Sequence, residues 1–107
     1  MQAELLQGIG TIHMGMGEYV YADNTFADAA RIYAQLGMPR ETTLARVAHA
    51  DNALRAGDPE RALSLLKQAK DVPHRPASDA ELNARLTDVE RRIAIAQGRP
   101  TAERQDK

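Results

Sequence analysis

The 107-residue chain is predicted to fold as a small all-α domain, two antiparallel helical hairpins followed by a closing helix. Three observations predict it. Apolar residues recur with helical spacing along most of the chain. Glycine, proline and capping residues punctuate those runs. Alanine and leucine dominate an apolar set of 43%, while aromatics make up only 4% and Trp is absent, a mixture that suits close-packed helices better than sheets. One domain fits this length, predicted over residues 1–98, with a flexible polar tail over 99–107.

The elements follow in order. Leu5, Leu6, Ile9, Ile12, Met16 and Val20 suit a first helix. Gly8, Gly10, Gly15 and Gly17 oppose it, each at about 1 kcal/mol relative to alanine in a helix interior. Small residues also let a neighbouring helix approach closely, so a helix over 1–22 is expected, with a break near Gly8–Gly10 as the alternative. Asn24 and Thr25 offer caps for a second helix, with Asp28 three positions beyond Thr25 and Gly37 and Pro39 as its stop. Its inward face reads Phe26, Ala29, Ala30, Tyr33 and Leu36. Hairpin 1 is thus expected over about 2–37, with its turn near Asn24.

Hairpin 2 is expected over about 40–71. Its first helix, 40–56, turns Leu44, Val47, Ala48 and Leu54 inward and stops at Gly57. Asp58-Pro59 then reads as an N-cap followed by a proline at the first helical position, where the missing N–H costs nothing. Ala62, Leu63, Leu66 and Ala69 form the inward face of the helix it starts, which fades before Pro73. Ser78-Asp79-Ala80-Glu81 has the form of a capping box, with Ser78 as the cap. The capping helix that follows, about 79–97, places Leu82, Leu86, Val89 and Ile93 on one face and ends at Gly98 and Pro100.

Charge narrows the function. Residues 1–39 set four acids (Glu4, Glu18, Asp23, Asp28) against Arg31, and the net formal charge of the chain is −1. A nucleic-acid binder usually carries a basic stripe and a high pI; here the pI is about 6.3, so no nucleic-acid partner is expected. Zero cysteines exclude disulfides and thiolate metal sites and fit a reducing compartment. No basic-then-apolar leader or long apolar run occurs, so a cytoplasmic location without membrane contact is expected.

Catalytic patterns fail one by one. Gly8-Ile9-Gly10 would need a third glycine where His13 stands, and Gly10 and Gly15 have P-loop spacing but are followed by Met16-Gly17 instead of Lys-Ser/Thr. His13 and His49 have no acid or second histidine four positions on, His74 sits in a proline-rich loop beside Arg75, and nothing predicts the three or four converging ligands a metal needs. Glu81–Arg85 and Asp88–Arg92 read as solvated helix pairs worth about 0.2–0.5 kcal/mol each. Ser64 and Ser78 lack a nucleophile's surroundings. The chain is therefore expected to be no enzyme, with no catalytic residue, cofactor or metal.

The chain also repeats weakly. Sliding Asn24 onto Gly57 lays Asn24–Leu36 on Gly57–Ala69: Ala29 falls on Ala62, Tyr33 on Leu66 and Leu36 on Ala69. Upstream, Gly17 meets Ala50 and Tyr21 meets Leu54. At these residues, and most strongly over 57–69, the chain resembles the tetratricopeptide repeat (TPR) family, with Ala62 and Ala69 at the small positions and Leu66 at the bulky one between them. The resemblance covers about residues 11–73 and departs at His13 and Arg46, where the family favours a large aromatic, and at His49, where it favours leucine. It implies a TPR-like α-α superhelix whose first helices line a concave groove for a peptide or helix segment. That groove would show Met14, Glu18 and Tyr21 from one helix and Val47, Asp51, Leu54 and Arg55 from the next. Met14, Glu18 and Asp51 replace the basic and amide residues of the family's chaperone-carboxylate clamp, so that ligand is not expected. The leading expectation is a protein-interaction scaffold. The alternative is a structural or regulatory piece of a larger array, as in bacterial signalling kinases, transcription regulators or secretion chaperones, self-associating through an exposed apolar face on residues 5–20.

Overall fold

Three near-identical turns organise the molecule. In the computed structural model, which describes residues 2–98, Gly17, Gly37 and Gly57 all have left-handed φ, +79°, +70° and +90°. At each, the glycine N–H bonds the carbonyl three positions back (Met14, Ala34, Leu54) and the next N–H bonds the carbonyl five back (His13, Tyr33, Ala53). This paired closure satisfies the last carbonyls of the helix, and it needs a residue that tolerates positive φ. The residue after the glycine is already the N-cap of the next helix, so each turn is short and reverses the chain.

The helices are α1 (Gln2–Gly15), α2 (Tyr19–Gln35), α3 (Pro39–Arg55), α4 (Pro59–Lys70) and, after a longer loop, α5 (Ala80–Ala96). No strand occurs among the described residues. Each helix packs on the next, α5 lies on both α3 and α4, and α1 touches α3 only narrowly. The result is an elongated body of 49 × 33 × 19 Å.

Several sequence expectations are corrected. The first turn lies at Gly17, not near Asn24, which is inside α2. Thr25 caps nothing; its hydroxyl donates to Tyr21 O at 2.8 Å within the helix. The hairpin step consequently runs from Gly17 to Gly57, and the slide of Asn24 onto Gly57 superimposes a helix interior on a turn. Leu36, expected inward, sits on the turn and is 54% exposed. The N-cap of α5 is Asp79, which accepts from Leu82 N at 3.0 Å; Ser78 precedes it. Asp58 caps α4 as expected, through Arg61 N at 3.1 Å, with Pro59 at the first helical position. The expected tail, 99–107, lies outside the described residues.

The interior has two parts. Around α3, α4 and α5, Val47, Leu65, Leu66, Leu82, Leu86, Val89 and Ile93 form a branched aliphatic core with four alanines. Around α1 and α2 the buried set is Ala3, Ala29, Ala30, Tyr33 and Ala45. Helix α1 runs unbroken through Gly8 and Gly10. Gly10 is buried against the fully buried Phe26, and a Cβ there would lie 2.9 Å from the ring.

Candidate functional site

The odd-numbered helices line one cleft of about 530 Å³. Each faces it with residues at helical spacing: Gln7, Thr11 and Met14 from α1; Leu44, Val47, Ala48 and Asp51 from α3; Glu81, Ala84, Arg85, Asp88, Val89 and Arg92 from α5. Leu44, Val47, Ala48 and Val89 make an apolar floor, and charges rim it on the α5 side.

Those charges neutralise one another. Arg92 bridges two helices, donating from Nη1 to Asp51 Oδ1 at 2.9 Å and from Nε to Asp88 Oδ2 at 3.1 Å. Asp51 Oδ1 also accepts from Arg55 Nε at 3.2 Å. At the other end Glu81 accepts from Arg40 Nη2 at 2.7 Å and from Arg85 Nη2 at 3.3 Å. Arg40 reaches Asp79 as well, which ties the start of α3 to the cap of α5. The Arg40 hydrogen bond, then that from Leu82 N–H, hold the Asp79 carboxyl below the ordinary 3.8.

Of the seven residues expected in the groove, Met14, Val47 and Asp51 line this cleft. Arg55 is exposed and reaches it through Asp51. Leu54 is half-buried and packs on the aliphatic core instead. Glu18 and Tyr21 are placed elsewhere. Glu18 is the N-cap residue of α2 and pairs with His13 Nδ1 at 2.6 Å. Tyr21 belongs to α2, is 65% exposed and lies with its ring centroid 5.6 Å from that of His13. Because Gly17 reverses the chain, neither continues the face of α1 that carries Met14. Sequence reasoning misses the α5 wall: Glu81, Arg85, Asp88 and Arg92, spaced by four, three and four, form one stripe that has the pattern of a solvated face.

A second polar cluster joins α2, α3 and α4 away from the cleft. Asp23 Oδ1 accepts from His49 Nε2 at 2.7 Å, and both Asp23 oxygens accept from Arg61. Burial acts to raise the Asp23 pKa, but hydrogen bonds from Arg61 and His49 outweigh it and hold the carboxyl below 3.8. Burial, with a smaller push from Arg61, holds the His49 imidazole below 6.5 against the pull of Asp23. The coherent state is a neutral His49 donating Nε2–H to an ionised Asp23 that Arg61 keeps charged. Nearby, buried Asn52 donates from Nδ2 to Tyr19 O at 2.9 Å, which fixes the start of α2 against α3.

Among the described residues no group of three or more His, Cys, Asp or Glu is placed to hold a metal ion, and no helix is long and apolar enough to cross a membrane. No family model, curated protein or solved structure matches the chain.

Proposed function

We propose that the chain is a non-enzymatic protein-interaction module, a TPR-like superhelix of α-hairpins that takes an extended or helical segment of a protein partner between α1, α3 and α5. The observation that carries this reading is the cleft itself. Three successive odd helices contribute to one trough with an apolar floor and a rim whose acids and arginines are already paired. Such a trough favours a segment with a few aliphatic anchors at alternate or helical spacing and little net charge. The step from Gly17 to Gly57 exceeds the repeat of the resembled family, about 34 residues. The added length lies in the helices α2 and α3, each 17 residues long.

A peptide-display selection tests it. Enriched peptides are expected to lose at least tenfold in affinity to Thr11→Trp or Ala84→Trp, which fill the cleft from exposed wall positions. Tyr21→Ala, outside the cleft, should leave them unaffected. Peptides indifferent to both fillings would sink the proposal.

A further inference from the structure

Counting back from the glycine that closes each odd helix puts α1, α3 and α5 in one register, since Gly17, Gly57 and Gly98 all have positive φ. Twelve positions before it stand Leu5, Ala45 and Leu86; five before it stand Ile12, Asn52 and Ile93. In α3 and α5 these positions are core: Ala45 and Leu86 are 0% and 5% exposed, Asn52 and Ile93 both 1%. They are covered because this face receives the preceding helix, as the Asn52–Tyr19 hydrogen bond to α2 records for α3. In α1 the same register is bare, with Leu5 65% and Ile12 62% exposed. The α1 face thus has the chemistry of the α5 core face, leucine and isoleucine at the same two places, without the helix that covers it.

We propose that this face pairs with its counterpart on a second copy of the chain, α1 against α1 and antiparallel about a twofold axis. The surface names its own complement. Among the described residues, four of the eight large exposed hydrophobics, Leu5, Ile9, Ile12 and Met16, follow one another at spacings of four, three and four along α1 and into the turn after it, while Val20, Tyr21, Leu36 and Ile95 lie on other elements. No other described face matches this one in apolar extent, and a twofold brings a patch onto itself. Charge agrees with the direction. Glu4 is the one acid on α1, near its start, so an antiparallel pair holds the two copies of Glu4 at opposite ends. A Cβ at Gly8 or Gly15 would meet nothing within 4 Å, and both glycines flank the stripe where a second backbone would approach. A helix of 14 residues, about 21 Å long, covers roughly 500 Å² per copy, below the usual size of a permanent interface. The dimer is therefore reversible. It uses a different face from the cleft, so neither reading depends on the other.

Sedimentation equilibrium from micromolar to millimolar concentration tests this pairing. Apparent mass should climb from 11.7 kDa toward twice that value, and Ile12→Glu, at an exposed site with helicity checked by circular dichroism, should weaken association at least tenfold. The chain has no cysteine, so Ile9→Cys, close to the expected twofold, reports the geometry directly. It should form disulfide-linked dimers on mild oxidation at least ten times faster than Ile95→Cys. A mass fixed at 11.7 kDa up to millimolar overturns the proposal. Association that survives Ile12→Glu, or equal crosslinking at both cysteines, overturns it too by placing the contact elsewhere.

Discussion

Hairpin α1–α2 and the α3–α5 body solve the same packing problem with different materials. In the body, leucine, isoleucine and valine from three helices interlock, and Leu66, Leu82 and Ile93 are at most 1% exposed. In the first hairpin the buried surface is largely alanine, set around Tyr33 and one phenylalanine that rests on the bare backbone of Gly10. Aliphatic bulk gains stability by area removed from water, about 25 cal/mol per Å². Close approach over glycine and alanine gains contact but little area, and α1 turns Leu5, Ile9 and Ile12 to the outer face. The two regions should therefore differ in stability, with α1 exchanging its amide hydrogens earliest.

The largest effect expected is in the body. Leu66→Ala should cost about 2–5 kcal/mol in chemical denaturation, because it opens a cavity among residues that cannot collapse into it. A loss below about 1 kcal/mol would mean the body is no better packed than the hairpin. Next, Gly10→Ala should destabilise by roughly 1–3 kcal/mol, since its Cβ would meet the buried Phe26 ring. Capping sharpens the contrast. Asp58→Ala should cost about 1 kcal/mol through the lost bond to Arg61 N, whereas Glu18→Ala, at an N-cap without a side-chain cap bond, should change stability by less than about 0.5 kcal/mol. Gly8→Ala is expected to stabilise by about 0.4–1 kcal/mol, opposite in sign to Gly10→Ala on the same helix, because nothing lies near its Cβ.

The smallest effect is acid sensitivity at the seam between the two regions. His49 has its folded pKa below the unfolded 6.5, so the unfolded chain binds the proton first. The stability linked to it is complete above pH 6.5 and drains as pH falls through the lower folded value. Asp23 and Asp79, held below 3.8, add a second loss only in stronger acid. Melting temperature should decline between neutral and mildly acidic pH, and His49→Gln should flatten that first decline. An unchanged slope in the variant would remove His49 from the account.

Legibility in the sequence follows how local the determining forces are. The core face of helix α5 can be read, with Leu82, Leu86, Val89 and Ile93 all buried, although its cap is Asp79 and not Ser78, and so can the Asp58-Pro59 start of α4. Spacing and caps decide these, and both are short-range. The turn at Gly17 escapes such reading because Glu18-Tyr19 carries neither a capping bond nor proline, and three nearby glycines hide the one with positive φ. The even spacing of Gly17, Gly37 and Gly57 is the available signal. Missing that turn carries Glu18 and Tyr21 into the expected groove, since an unbroken helix would set them beside Met14. The α5 wall stays hidden for another reason: the Arg92–Asp51 bond joins positions 41 apart, and only the fold sets that solvated stripe along the rim of the cleft.

The central claim, that the trough between the odd helices is the working surface, is tested most directly by titrating a display-selected peptide into isotope-labelled protein and mapping amide shifts. The account predicts the largest changes at Thr11, Ala48, Ala84 and Asp88, one position or more on each wall. Shifts concentrated at Glu18, Tyr21 and the outer sides of α2 and α4, with those four amides unmoved, would contradict it.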